Sequence, residues 1–118
     1  MEKQLIVMAG FIALDIVTGL LKALSNKEYR SINMREGLIH KLTELFAAAF
    51  GIAIDFALPI LGISVRFSVF SAMVVYITMM EAGSIIENIG AIYPALGNKL
   101  STVFKDASGH KDDDDAKL

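Results

Sequence analysis

Apolar residues come in three long blocks separated by short polar stretches. Residues 5–21 hold a single charge, Asp15; residues 42–63 hold Glu44 and Asp55; residues 67–86 hold Glu81. A helix needs about 17–25 mostly apolar residues to cross the hydrocarbon core of a bilayer. Each block therefore predicts a transmembrane helix. Pro59 removes a helix donor, so the second helix is expected to stop near Leu58, with residues 59–66 forming a tight turn into the third. A cleaved signal peptide at the N-terminus would need a basic leader and a small-residue cleavage site. Lys3 is the only basic side chain before the first block, Asp15 interrupts it, and Leu24-Ser25-Asn26 is a poor cleavage site. The first block is read as a span.

The expected fold class is an all-α membrane protein with three transmembrane helices and no β-sheet. Residues 1–93 form the membrane domain and residues 94–118 a cytoplasmic tail, largely disordered. Asn33 and Glu36 have the spacing of a capping box, which predicts that the second helix starts near Met34. Glu87, Asn88, Gly90, Pro94, Gly97 and Asn98 read as a helix end followed by a loop, and residues 99–106 as a short surface helix. The run Asp112 to Asp115 reads as a solvated acidic tail or the remnant of an epitope tag.

Composition narrows the function classes. At 118 residues, 54% hydrophobic and 20% charged, with mean hydropathy +0.54, the chain has room for one domain. The absence of Cys excludes disulfide, thiolate-zinc and iron–sulfur chemistry. A net charge of −2 argues against nucleic-acid binding. There is no phosphate-binding Gly-rich loop, no nucleophile beside a base and no zinc-binding His pair. No catalytic residue, metal site or cofactor is expected, and the protein is not read as an enzyme.

Charge distribution gives an orientation. Lys22, Lys27, Arg30, Arg35 and Lys41 lie between the first two spans, and Lys99, Lys105, Lys111 and Lys117 follow the third. Only Lys3 and Arg66 fall on the opposite side. The positive-inside tendency then places the N-terminus outside and the C-terminus in the cytoplasm.

The polar residues inside the spans carry the remaining information, because a charge at the bilayer centre costs about 2.5–3.5 kcal/mol on insertion scales. They fall on helical stripes. Asp15, Thr18, Gly19 and Lys22 share a face of the first helix. Glu44, Ala48, Gly51 and Asp55 share one of the second. Ser64, Ser68, Ser71, Thr78, Glu81, Ser84 and Asn88 run along the third, about 36 Å at 1.5 Å per residue. Small residues permit close helix approach, and hydroxyls bond across helices. Asp15, Thr18, Gly19, Lys22, Gly51 and Asp55 are the expected assembly residues. The third stripe has more polar groups than one packing seam needs, which points to several copies and to a surface that can line a water-filled opening. The expected partner of Asp15 lies on another helix or another copy, because Lys22 is two turns away.

The run Asp15-Ile-Val-Thr18-Gly19-Leu-Leu-Lys22-Ala23, followed by Ser31, Arg35-Glu36-Gly37-Leu38, Lys41 and then Asp55, resembles the phage holin family that includes the toxin-secretion holins of Gram-positive bacteria. The resemblance covers about residues 5–90. It implies a homo-oligomer in the bacterial inner membrane that permeabilises the bilayer at a set time and releases an endolysin or a toxin, without stable binding to either. A small proton-coupled or drug transporter, with Asp15 and Asp55 as a carboxylate pair, and an accessory subunit of a larger membrane complex are the alternatives.

Overall fold

The computed structural model describes residues 1–27 and 31–107, apart from the side chains of residues 31–33. The acidic run Asp112 to Asp115 lies outside the described residues. Four helices follow one another: α1 Glu2–Asn26, α2 Ser31–Ile60, α3 Val69–Ile92 and α4 Pro94–Ala107. There is no strand among the described residues. α1, α3 and residues Met34–Ile60 of α2 are long and apolar enough to span a membrane.

The chain runs up, down and up through these three helices. α1 and α3 are therefore parallel, and α2 is antiparallel to both. The central element is α3, which packs against each of the other three helices, whereas α1 and α2 scarcely touch. The molecule thus has two ends: a turn end, where α2 passes into α3, and a basic end, where α1 passes into α2 and α3 into α4.

The apolar core is small and lies toward the turn end. It comprises Met8, Ala48, Phe70, Val74 and Ile77, with Leu5, Ile12, Ala47 and Ile52 packed against it. Large apolar side chains such as Ile6, Leu24, Phe46, Phe50, Phe56 and Val75 point outward, each at least half exposed. In water such a surface would drive aggregation; around three spans of this length it matches lipid.

Several boundaries differ from the sequence expectation. α2 begins at Ser31, so Asn33 lies inside the helix rather than capping it. Pro59 lies within α2, which continues to Ile60. A proline in the last turn removes one hydrogen bond only, and the helix closes with Ile63 N–H donating to Leu58 O (2.9 Å) and Gly62 N–H donating to Pro59 O (3.1 Å). Gly62 has φ +77°, the left-handed conformation that this helix ending requires. α3 starts at Val69, so Ser64 lies in the turn and Ser68 is the N-cap. At the other end α3 runs on through Glu87, Asn88 and Gly90. Residues 94–98, expected as loop, are helical too and join the short helix expected over 99–106 in α4, Pro94–Ala107. Pro94 opens α4 at the first helical position, where its missing N–H costs nothing. Gly90 and Gly97 meet backbone to backbone, which allows the sharp corner at Tyr93.

Candidate functional site

At the turn end α2 caps α3. The Asp55 carboxylate accepts hydrogen bonds from Ser68 Oγ (2.5 Å), Val69 N–H (2.7 Å) and Phe70 N–H (3.1 Å). Ser68 Oγ in turn accepts from Ser71 N–H (3.1 Å). The first turn of a helix carries unpaired donors and the positive end of its dipole, so a carboxylate here satisfies groups that lipid could not. Asp55 is tied to backbone and does not meet Asp15 as a carboxylate pair. One turn earlier on α2, Gly51 abuts the backbone of Phe70. A Cβ at position 51 would stand 2.8 Å from Phe70 Cα and 3.0 Å from its nitrogen. Gln4 Nε2 of α1 donates to Ser71 Oγ (2.9 Å), which joins α1 to the same end of α3.

Midway along the bundle the polar groups converge. Lys41 of α2 reaches across the gap between α1 and α2. Its Nζ donates to Glu81 of α3, 2.7 Å from Oε1 and 2.6 Å from Oε2, and to Asp15 Oδ2 of α1. The side chains of Lys41, Asp15 and Glu81 are 16%, 13% and 2% exposed. Asn88, two turns beyond Glu81, donates to Asp15 Oδ1 (2.9 Å) and Thr18 Oγ1 (3.0 Å). Thr18 donates back to Leu14 O (2.8 Å). One ammonium thus ties all three spans together.

The network forms the floor of a groove of about 600 Å³ that opens between α1 and α2 toward the basic end. Its walls carry Gly19, Lys22, Gly37, His40, Ser84 and Glu87. Glu44 also lines it, and its carboxyl adjoins that of Glu81. Glu44 Oε2 and Thr78 Oγ1 are buried without a hydrogen-bond partner. Carboxylates at the floor therefore outnumber the ammonium.

The structure brings Asp15, Thr18, Glu81 and Asn88 into one network, with Ser84 and Lys22 on the groove above it. It places Asp55, Ser68, Ser71 and Gly51 in a separate cluster at the turn end, and leaves Ser64 exposed in the turn. Gly19 has more room than a tight seam would give: a Cβ there would meet Asn88 Nδ2 at 3.7 Å, an ordinary contact. Lys41 is the residue that sequence reasoning missed. The helix expected from Met34 already carries it, but it counts there only toward the basic charge between the spans. Extending the Glu44, Ala48, Gly51, Asp55 stripe one turn toward the N-terminus reaches Lys41. Gln4 was missed as well, because a lone amide near a chain end carries no pattern.

No curated protein and no solved structure matches the chain. The model of the bacteriophage holin family matches residues 1–108, which takes in all four helices and every polar contact described above. With three membrane-length helices whose polar groups face one another beneath an apolar exterior, the chain belongs to the bacteriophage holin family.

Proposed function

We propose that the protein is a holin that accumulates in the bacterial inner membrane, assembles into homo-oligomers and permeabilises the membrane to release an endolysin or a toxin. The observation that carries this reading is the polar network of Asp15, Lys41, Glu81 and Asn88, mostly buried within a single copy yet bordering an open groove. Helices in lipid lack a hydrophobic force holding them to one another. Polar contacts of this kind can be exchanged between copies, and the α3 stripe from Ser71 to Asn88 can then line an opening. Such a function needs no catalysis. The N-terminus lies outside and the C-terminus in the cytoplasm, which puts the groove mouth on the cytoplasmic side.

Induced expression in a bacterium carrying a large cytoplasmic reporter enzyme tests the reading. A holin arrests growth abruptly and releases the reporter. A proton-coupled transporter, the reading favoured by carboxylates in a groove, leaves the reporter inside; an accessory subunit has no effect without its partner. Orientation is tested in intact cells before lysis. Cys introduced by Ser64→Cys should react with an impermeant thiol reagent and Cys introduced by Ser108→Cys should not; the reverse pattern rejects the topology.

A further inference from the structure

We infer that α4 lies along the bilayer surface at the basic end and docks its apolar face among anionic phospholipids. This goes beyond the proposed pore, because it assigns a lipid-binding surface to a segment outside the spans. α4 follows α3 after the single residue Tyr93, so it starts at the depth where the third span leaves the hydrocarbon. The Gly90–Gly97 backbone contact fixes the corner, so α4 is turned back from the α3 axis at that depth. Its apolar residues Leu96, Leu100, Val103, Phe104 and Ala107 follow steps of four, three, one and three, which gathers them on one face. That face is not used up within the chain: Leu96 and Val103 are 46% and 63% exposed.

Two observations identify the occupant as lipid. The exposed apolar surface of α3 continues through Ile92 and Tyr93, 39% and 60% exposed, into Leu96. An aromatic residue at that point suits the interface belt. Charge supplies the second. Lys22, Lys27, Arg35, Lys99 and Lys105 gather at this end, against Glu36, Glu87 and Asp106 among the described residues. A basic excess beside an amphipathic helix favours anionic headgroups. A surface that binds a second copy would need no such collar.

The full chain in nanodiscs tests this, with an environment-sensitive fluorophore on single Cys residues introduced by Val103→Cys and Thr102→Cys. Discs of phosphatidylglycerol carry bromine on the upper acyl chain. The label at position 103 is expected to shift to the blue and to be quenched by the brominated lipid, and the label at 102 to behave as in water. Replacing phosphatidylglycerol by phosphatidylcholine should weaken the quenching at 103. Water-like emission at both positions would overturn the inference, as would a blue-shifted label at 103 that bromine does not quench, the signature of a second copy covering the face. Equal quenching in both lipids would reject the anionic preference. None of these readouts needs lysis, so a failure of the pore reading leaves them intact.

Discussion

Replacing Lys41 by Met tests the network most directly. The stem is kept at similar length, but the ammonium that Asp15 and Glu81 share is lost. Their side chains are 13% and 2% exposed, so the scale for surface ion pairs, about 0–1 kcal/mol, does not apply. Stripping one partner from a buried ion pair costs about 3–5 kcal/mol. At 1.4 kcal/mol per tenfold, the intact bundle loses about two to three and a half orders of magnitude in population. The damage should fall on the α1–α2 relation above all, because these helices have little contact other than through Lys41. Helicity at 222 nm followed on heating in detergent reads the stability, and onset of lysis after induction reads the function. Lys41→Met should melt earlier and lyse prematurely or fail to accumulate.

A second variant separates charge from packing. Lys41→Met combined with Asp15→Asn and Glu81→Gln removes every charge of the triad while nearly keeping its shape. Replacing a whole buried ion network by hydrophobic groups of similar volume is often neutral or stabilising; the amides here are polar but uncharged and cost far less to bury than unpaired carboxylates, so the triple variant should recover most of the loss. If Lys41→Met melts and lyses like the parent, the ammonium does not hold the spans together. If the triple variant is as damaged as the single one, the contribution of Lys41 is packing and the electrostatic reasoning is wrong.

Other substitutions probe the remaining contacts. Gly51→Ala should cost about 1–3 kcal/mol, because its Cβ would press on the Phe70 backbone; Gly19→Ala, with an open position, should be neutral or gain up to about 1 kcal/mol in helix propensity. Equal thermal melts for the two would remove the close α2–α3 approach from the account. Asp55→Ala should expose the Val69 and Phe70 amides to faster hydrogen exchange, with Asp55→Asn intermediate; unchanged protection would mean that Ser68 alone suffices as cap. Cys introduced by Ser71→Cys and Thr78→Cys should be unreactive to a water-soluble thiol reagent before triggering and labelled afterwards. Labelling at neither position once lysis begins would show that α3 does not line the opening.

The three spans were legible because a helix in lipid must hide its backbone within itself and show apolar side chains. Block length and charge scarcity then suffice. The interior stripes were legible as well, since Asp15, Thr18, Glu81 and Asn88 keep helical spacing. The pairing among them was not. Helical periodicity gives the face of a residue but not the depth at which faces meet, and depth decides that Lys41 meets Asp15 while Asp55 meets the amides of α3. Lys41 was concealed by its neighbours: beside Arg35 and His40, both exposed on the same stretch of α2, it reads as one more basic side chain at the membrane edge, although its own side chain turns inward to Asp15 and Glu81. The start of α4, ahead of the helix expected over 99–106, was concealed for the opposite reason. Gly90, Pro94 and Gly97 are loop residues by composition, yet two of them make a close corner and the third starts a helix.

These placements divide the bundle into halves held by different forces. At the turn end, Met8, Ala48, Phe70, Val74 and Ile77 interdigitate, and the Asp55 cap fastens α2 to α3. Lipid can cover the apolar side chains, but it cannot replace the Asp55 cap without leaving the Val69 and Phe70 amides unpaired. Toward the basic end α1 and α2 diverge, and Lys41 spans the gap. Its contacts are the exchangeable kind, because an ammonium can satisfy carboxylates on another copy, and a carboxylate or amide can be satisfied by water. On the proposed function, Gly51, Asp55 and Phe70 form a fixed joint and Lys41 a tie that assembly releases. A substitution at the joint should lower stability at every stage of assembly. A substitution at the tie should alter when assembly proceeds, and the contrast between Gly51→Ala and Lys41→Met in lysis timing measures whether the two halves act separately.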